Sequence, residues 1–181
     1  TCLLLPFVKQ LVAFSRFVIK DKTEQKETFA LKYVDNRLLS MAPVALMQVK
    51  KEIEYMMSLV EKNIGLSFYA EETKSVDDGE EIHKNEDIID FTNTALTDFL
   101  IKLSVDVEQS DETVIGSYFH VLNDLERIGD HAENFFDIVE DMRRKKLSFS
   151  GQAQEKIRVM YNKVTEMFTI SRDAFETGDK T

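Results

Sequence analysis

From residue 43 onward, apolar residues recur every three or four positions in four long runs separated by short polar stretches. Leu46, Val49, Ile53, Met56, Met57, Val60, Ile64 and Phe68 fall on one face of a helix turning about 100° per residue. They predict a first helix over 43–73, with Pro43 in the first turn, where its missing N–H is tolerated. Because a proline disfavours helical backbone in the residue before it, Ala42 is expected outside the helix. Gly65, inside the run, costs up to about 1 kcal/mol against alanine and suggests a kink or a close crossing. Ile82, Ile89, Leu96, Phe99, Leu100 and Leu103 predict a second helix over 78–104. Leu122, Leu125, Gly129, Ala132, Phe136 and Val139 predict a third, starting near the acidic Asp111-Glu112 and ending near Arg144-Lys145-Lys146. Both ends suit the helix dipole. Ile157, Met160, Val164, Met167, Phe168 and Ile170 mark a fourth over 150–177, stopped by Gly178. Short polar connections imply an all-α, up-down antiparallel helical bundle.

Upstream the pattern changes. Residues 29–43 alternate poorly and read as an extended or short-turn segment docking on the bundle of residues 44–181. Phe29, Leu31, Val34, Leu38, Leu39 and Met41 are expected to bury there. Residues 20–28 are a charged linker, and Leu3 to Ile19 are apolar but interrupted by Lys9, Gln10, Ser15 and Arg16. The uninterrupted run falls short of the roughly 20 residues that span a bilayer. No small-residue cleavage site follows it, so a signal peptide does not fit. Residues 1–28 therefore read as a membrane-proximal amphipathic helix, or the tail of a transmembrane one, with its linker. The alternative is a helix packed on its own domain. The lysines after Ile19 favour the membrane surface. The chain opens on Thr1 instead of Met, which reads as a fragment of a longer protein.

Composition agrees with a helical class: 181 residues hold only 6 Gly and 2 Pro, no Trp, and 31% charged side chains. A single cysteine, Cys2, excludes an intramolecular disulfide and fits a reducing compartment. The net charge of −10 argues against a nucleic-acid partner, since no basic stripe exists to neutralise phosphates. Charge is also uneven. Residues 1–37 carry seven basic and four acidic side chains, so the remainder is strongly acidic. A basic apolar head on an acidic body again points to a membrane-proximal start.

The acids of the third helix carry the candidate chemistry. Glu126, Asp130, Glu133 and Asp137 lie at i, i+4, i+7 and i+11, within roughly 60° of one another around the helix. No basic residue interrupts them, although like charges at i,i+4 repel. Glu86 and Asp90 repeat the spacing on the second helix, with Asn93 and Thr97 extending the stripe. Two such pairs on facing helices would suit a hard cation: magnesium, calcium, manganese or ferric iron. The alternative is a solvated acidic face. His131 adjoins Asp130 but lies off the stripe, so a surface or supporting role fits it better than ligation. Glu80-x-x-His83 is one Glu-x-x-His, where a di-iron bundle needs two.

The run Asp124-Leu-Glu-Arg-Ile-Gly-Asp-His-Ala-Glu-Asn resembles the signature of the PhoU family, phosphate-uptake regulators built from three-helix repeats. The stretch Tyr33 to Ile53 resembles the junction at which bacterial sodium/phosphate cotransporters pass into a C-terminal PhoU-like domain, and Leu3 to Leu11 the end of their membrane part. The resemblance implies a PhoU-like three-helix repeat plus a further helix, with metal held by Glu86, Asp90, Glu126 and Asp130. Asn93, Asn134, Glu133, Asp137 and His131 would add ligands or support. Gly129 would permit close approach, and Arg127 would pair with a neighbouring acid. A full PhoU carries two signatures; only one is here, so residues 150–177 look like the first helix of a further repeat. Their apolar stripe must then close a four-helix bundle or pair with another copy in a homodimer.

The functional expectation is a non-enzymatic regulator. It is a PhoU-like domain of a sodium-dependent phosphate transporter, at the cytoplasmic face of the bacterial plasma membrane and joined to the membrane domain of the same polypeptide. It would sense or gate phosphate uptake through a metal-dressed surface. The other classes are a metal-free coupling bundle and a di-metal carboxylate enzyme. A phosphotransfer role for His131 fits poorly, because no Lys-Gly follows it.

Overall fold

The computed structural model describes residues 29–178, so the membrane-proximal helix and linker expected at 1–28 lie outside the described residues. The chain divides into two compact units after Ala30. Among the described residues, four α-helices make up the second: α1 (Ala42–Thr73), α2 (Gly79–Leu103), α3 (Gln109–Arg144) and α4 (Gly151–Thr177). No strand occurs among the described residues, and the predicted all-α bundle is the observed fold.

Helix α1 begins at Ala42, one residue earlier than the proline rule suggests. The amides of Val44 and Ala45 both close on the Met41 carbonyl, at 3.0 and 2.9 Å. The first turn thus forms around Pro43, whose absent N–H belongs to the set that a helix start leaves unpaired anyway. At the far end of the bundle Gly178 takes φ = 72°, a left-handed conformation glycine adopts without strain, and its amide meets the Ala174 carbonyl.

Helix α1 is the hub, packing against α2, α3 and α4, while α2 and α3 also pack on each other. The stripes predicted on α1, α2 and α3 are buried, apart from Phe68, which is half-buried. Two apolar clusters result. The larger runs from Ala45 to Ile64 on α1 and takes in Ile89, Leu96, Leu122 and Leu125. The smaller holds Ala70, Ile82, Phe136 and Val139. Between them lies a buried polar layer. Asn63 donates to the Ile82 carbonyl at 3.0 Å, Asn85 donates to Asn63 Oδ1 at 2.9 Å, and Glu86 lies alongside.

Helix α4 departs from expectation. Of its predicted stripe only Phe168 is buried, while Met160, Met167 and Ile170 are exposed. It is held on α1 by Tyr161 stacking on Phe68 with centroids 4.5 Å apart, by an Arg172–Glu61 ion pair, and by Lys50 donating to the Glu176 carbonyl. Upstream of α1, residues Asn36–Ser40 form a short 3-10 turn. Leu31, Val34, Leu38 and Leu39 pack on the core, whereas Met41 projects into solvent. The Tyr33 amide donates at 2.7 Å to Glu52, a carboxylate on α1 that is 1% exposed.

Gly65 is not a close crossing, since a Cβ there meets nothing within 4 Å. Gly79 is one: an added Cβ would lie 2.8 Å from the Phe136 ring. Gly79→Ala should therefore cost about 1–3 kcal/mol through overpacking. Gly65→Ala should gain about 0.5–1 kcal/mol by removing helix-interior backbone freedom. Urea midpoints of the two variants are expected to move in opposite directions.

Candidate functional site

Where α2 crosses α3, the two predicted carboxylate pairs meet. Glu86 is buried at 4% exposure, and both its oxygens lack a hydrogen-bond partner. It fits because α3 carries Gly129 opposite it: a Cβ at that position would stand 2.7 Å from Glu86 Oε2 and 3.2 Å from Oε1. The carboxylate thus occupies space that any other residue at 129 would fill. Asp90, one turn further along α2, is exposed, and Glu126, Asp130 and Glu133 on α3 are half-buried.

Their charges act on one another. Burial, reinforced by Asp90, Glu133, Asp130 and Glu126, pushes the Glu86 carboxyl up to about 8. Burial also raises Asp90, with Asp130 the next contributor, and raises Glu126, with Asp130 and Asp90 adding to the effect. Arg127 is exposed and opposes the shift at Glu126 only as its smallest contributor, with no ion pair to an acid of the row.

The supporting residues separate. Asn93 joins the row, and its Oδ1 is buried without a partner. Asn134 does not offer its amide group to the row, because Nδ2 donates to the Asp130 backbone carbonyl at 2.7 Å. His131 lines a cleft between α1, α3 and α4, together with Asp124 and Arg127. It adjoins Asp130 in sequence but projects about 100° around the helix from it. His83, which the sequence offered only as half of a di-iron motif, joins the row instead. Its Nδ1 lies 2.6 Å from Glu133 Oε1, and Asp137 is 3.9 Å from Nε2. The Glu133 hydrogen bond raises its pKa, with burial opposing and Asp137 and Glu140 adding support. The signal was present: His83, Glu86 and Asp90 share one face at i, i+3 and i+7.

Chemically this is an all-oxygen donor set with a histidine at its edge, and no thiolate. Such a set matches a hard cation and does not match a structural zinc. The orphaned Glu86 oxygens and the glycine cradle fit a bound cation. Among the described residues, however, no three side chains of the ligating types already surround one point.

A PhoU domain model matches residues 53–139, covering most of α1, all of α2 and α3 as far as Val139. All four carboxylates and Gly129 fall within it. This stretch is similar to a regulatory helical domain, and the similarity points to phosphate homeostasis. No curated protein and no solved structure matches the chain.

The raised pKa values set a pH dependence for the metal-free protein. Glu86 ionises near 4.5 when unfolded and near 8 when folded, so the folded state holds the extra proton between them. Its contribution to stability is full below the lower value and is lost as pH rises through the upper one. His83, also raised, loses its contribution as pH rises past its ordinary value. In chelator, the urea midpoint should fall from pH 5 to pH 8. Glu86→Gln should shrink that fall, and adding His83→Gln should shrink it further, the remainder coming from Asp90 and Glu126.

Proposed function

We propose that this chain is a non-enzymatic regulatory domain in phosphate homeostasis. It is joined on its N-terminal side to the membrane part of a sodium-dependent phosphate transporter and works at the cytoplasmic face of the membrane. Glu86, Asp90, Glu126 and Asp130 hold a hard metal ion, with Asn93 and Glu133 beside them. The PhoU-like region over residues 53–139 supports the regulatory class. The resemblance of residues 33–53 to a cotransporter junction supports the tether. Among the described residues, no helix is long and apolar enough to cross a membrane, so any anchoring rests on other parts of the chain.

One observation carries the metal: the buried Glu86 carboxylate, with neither oxygen hydrogen-bonded, aimed at Gly129. A buried polar group without a partner costs about 1–3 kcal/mol, more if charged. Either a proton or a cation relieves that cost. Bound there, the ion would supply positive charge on a face whose bare carboxylates repel phosphate. Glu86 fixes depth, Gly129 leaves room, and Asp90, Glu126 and Asp130 set the oxygen field from the rim. The second reading keeps Glu86 protonated and the bundle purely structural, and the raised pKa favours it over a solvated acidic face.

Elemental analysis of protein purified without chelator separates the two. The metal reading expects bound iron, manganese, magnesium or calcium. Glu126→Ala with Asp130→Ala should lower its affinity at least about tenfold. Gly129→Ala, which removes no ligand, should weaken it too by displacing Glu86. Phosphate uptake by cells carrying the double variant should lose its regulation while the protein stays folded. Unchanged metal content and uptake would overturn the proposal.

A further inference from the structure

Helix α4 presents two unlike faces. Its inner face meets α1 through Phe168 and Tyr161. Its outer face carries Val159 and Ile170, and one flank carries Met160 and Met167, each at least half exposed. Next to that face a cleft of about 470 Å³ opens between α1, α3 and α4, floored by Met57, Leu125 and Phe168. Exposed apolar side chains beside a cleft of this kind mark a contact surface.

The charges on the outer face indicate what covers it. Lys163 and Glu166 are equidistant from the midpoint between Val164 and Thr165. So are Val159 and Ile170, and so are Lys156 and Asp173. At about 100° per residue, all six lie within roughly 60° of a line drawn opposite Phe168. Turning the helix end for end exchanges each lysine with an acid and the valine with the isoleucine. A stripe with that symmetry is complementary to its own antiparallel copy, the requirement of a two-fold interface. Asp173 lies 3.7 Å from Arg172 within the helix but stays largely exposed. Lys163 and Glu166 meet only within the helix at 3.4 Å, and both side chains are largely exposed.

We propose that the outer face of α4 is the seam of a two-fold symmetric dimer of this chain, packed antiparallel against α4 of a second copy. Val159 meets Ile170 across the seam, Lys163 meets Glu166, and Lys156 meets Asp173. Met167 lines the cleft, and Met160 stands on the same flank of the helix. Their flexible thioethers suit a surface that must adapt to an irregular groove. The dimer is independent of any metal on α2 and α3, so its test does not touch that reading.

Sedimentation equilibrium of the full chain from micromolar to submillimolar concentration tests the seam. The wild type is expected to show a monomer–dimer equilibrium. Lys163→Glu alone and Glu166→Lys alone should each weaken association at least about tenfold, because each sets like charges against one another. The double variant, Lys163→Glu with Glu166→Lys, should restore it. Ile170→Glu should abolish it while leaving the melting curve in place, since the residue is exposed in the monomer. A wild type that stays monomeric throughout overturns the proposal and assigns the face to another partner. A dimer indifferent to all four variants overturns it equally, and so does a double variant that fails to recover.

Discussion

A carboxylate stands where two helices would otherwise touch. Glu86 is packed against the bare backbone of Gly129, and the crossing of α2 over α3 depends on that fit. Were residue 129 any larger, the helices would have to part or the carboxylate leave the interior. Were residue 86 apolar, the two clusters of the core would merge into one. Instead the protein keeps a polar layer of Asn63, Asn85 and Glu86 through its middle, with Ile64 on one side and Ile82 on the other. The two asparagines complete each other's hydrogen bonds, and the glutamate does not.

That asymmetry separates a structural group from a chemical one. The asparagine pair fixes register between α1 and α2, since sliding either helix by a turn would leave buried amides without partners. Glu86 adds nothing to register that an apolar residue would not supply, and it raises the energy of the interior whenever it is ionised. A buried group held in that condition among further carboxylates is typical of a binding position. The hydrogen bond between His83 and Glu133 closes one end of the row, and Asn93 closes the other with a third unpartnered oxygen.

The helices were legible because burial and periodicity coincide on α1, α2 and α3: every predicted core position there is inside or half-inside. On α4 they diverge. Met160, Met167 and Ile170 have the spacing of a core face, but spacing carries no information about what lies opposite, and here nothing does among the described residues. The acid pairs were visible from their i,i+4 intervals, yet that interval treats Glu86 and Asp90 alike, and only packing against Gly129 buries the first and leaves the second in water. His83 and Glu133 are 50 residues apart, so their contact follows from the helix crossing and not from local pattern. His131 shows the reverse case. Its neighbour Asp130 belongs to the acid row, while a single step along the helix carries the histidine to the cleft beside α4.

The bond from the Tyr33 amide to Glu52 gives the bundle an unusual point of attachment. The chain reaches α1 first at Glu52, before it enters the helix at Ala42, about 15 Å further back along the axis. Lys32 sits over the Tyr55 ring 3.2 Å from its centroid and reinforces the same spot. Tension arriving through residues 31–33 would therefore reach the hub helix about a third of the way along it, not at its end. The intervening turn at Asn36–Ser40 packs on α1 and α2 through Leu38 and Leu39, so it holds the same end of the hub. Residues 31–40 thus brace α1 from the side, on the helix against which the other three all pack.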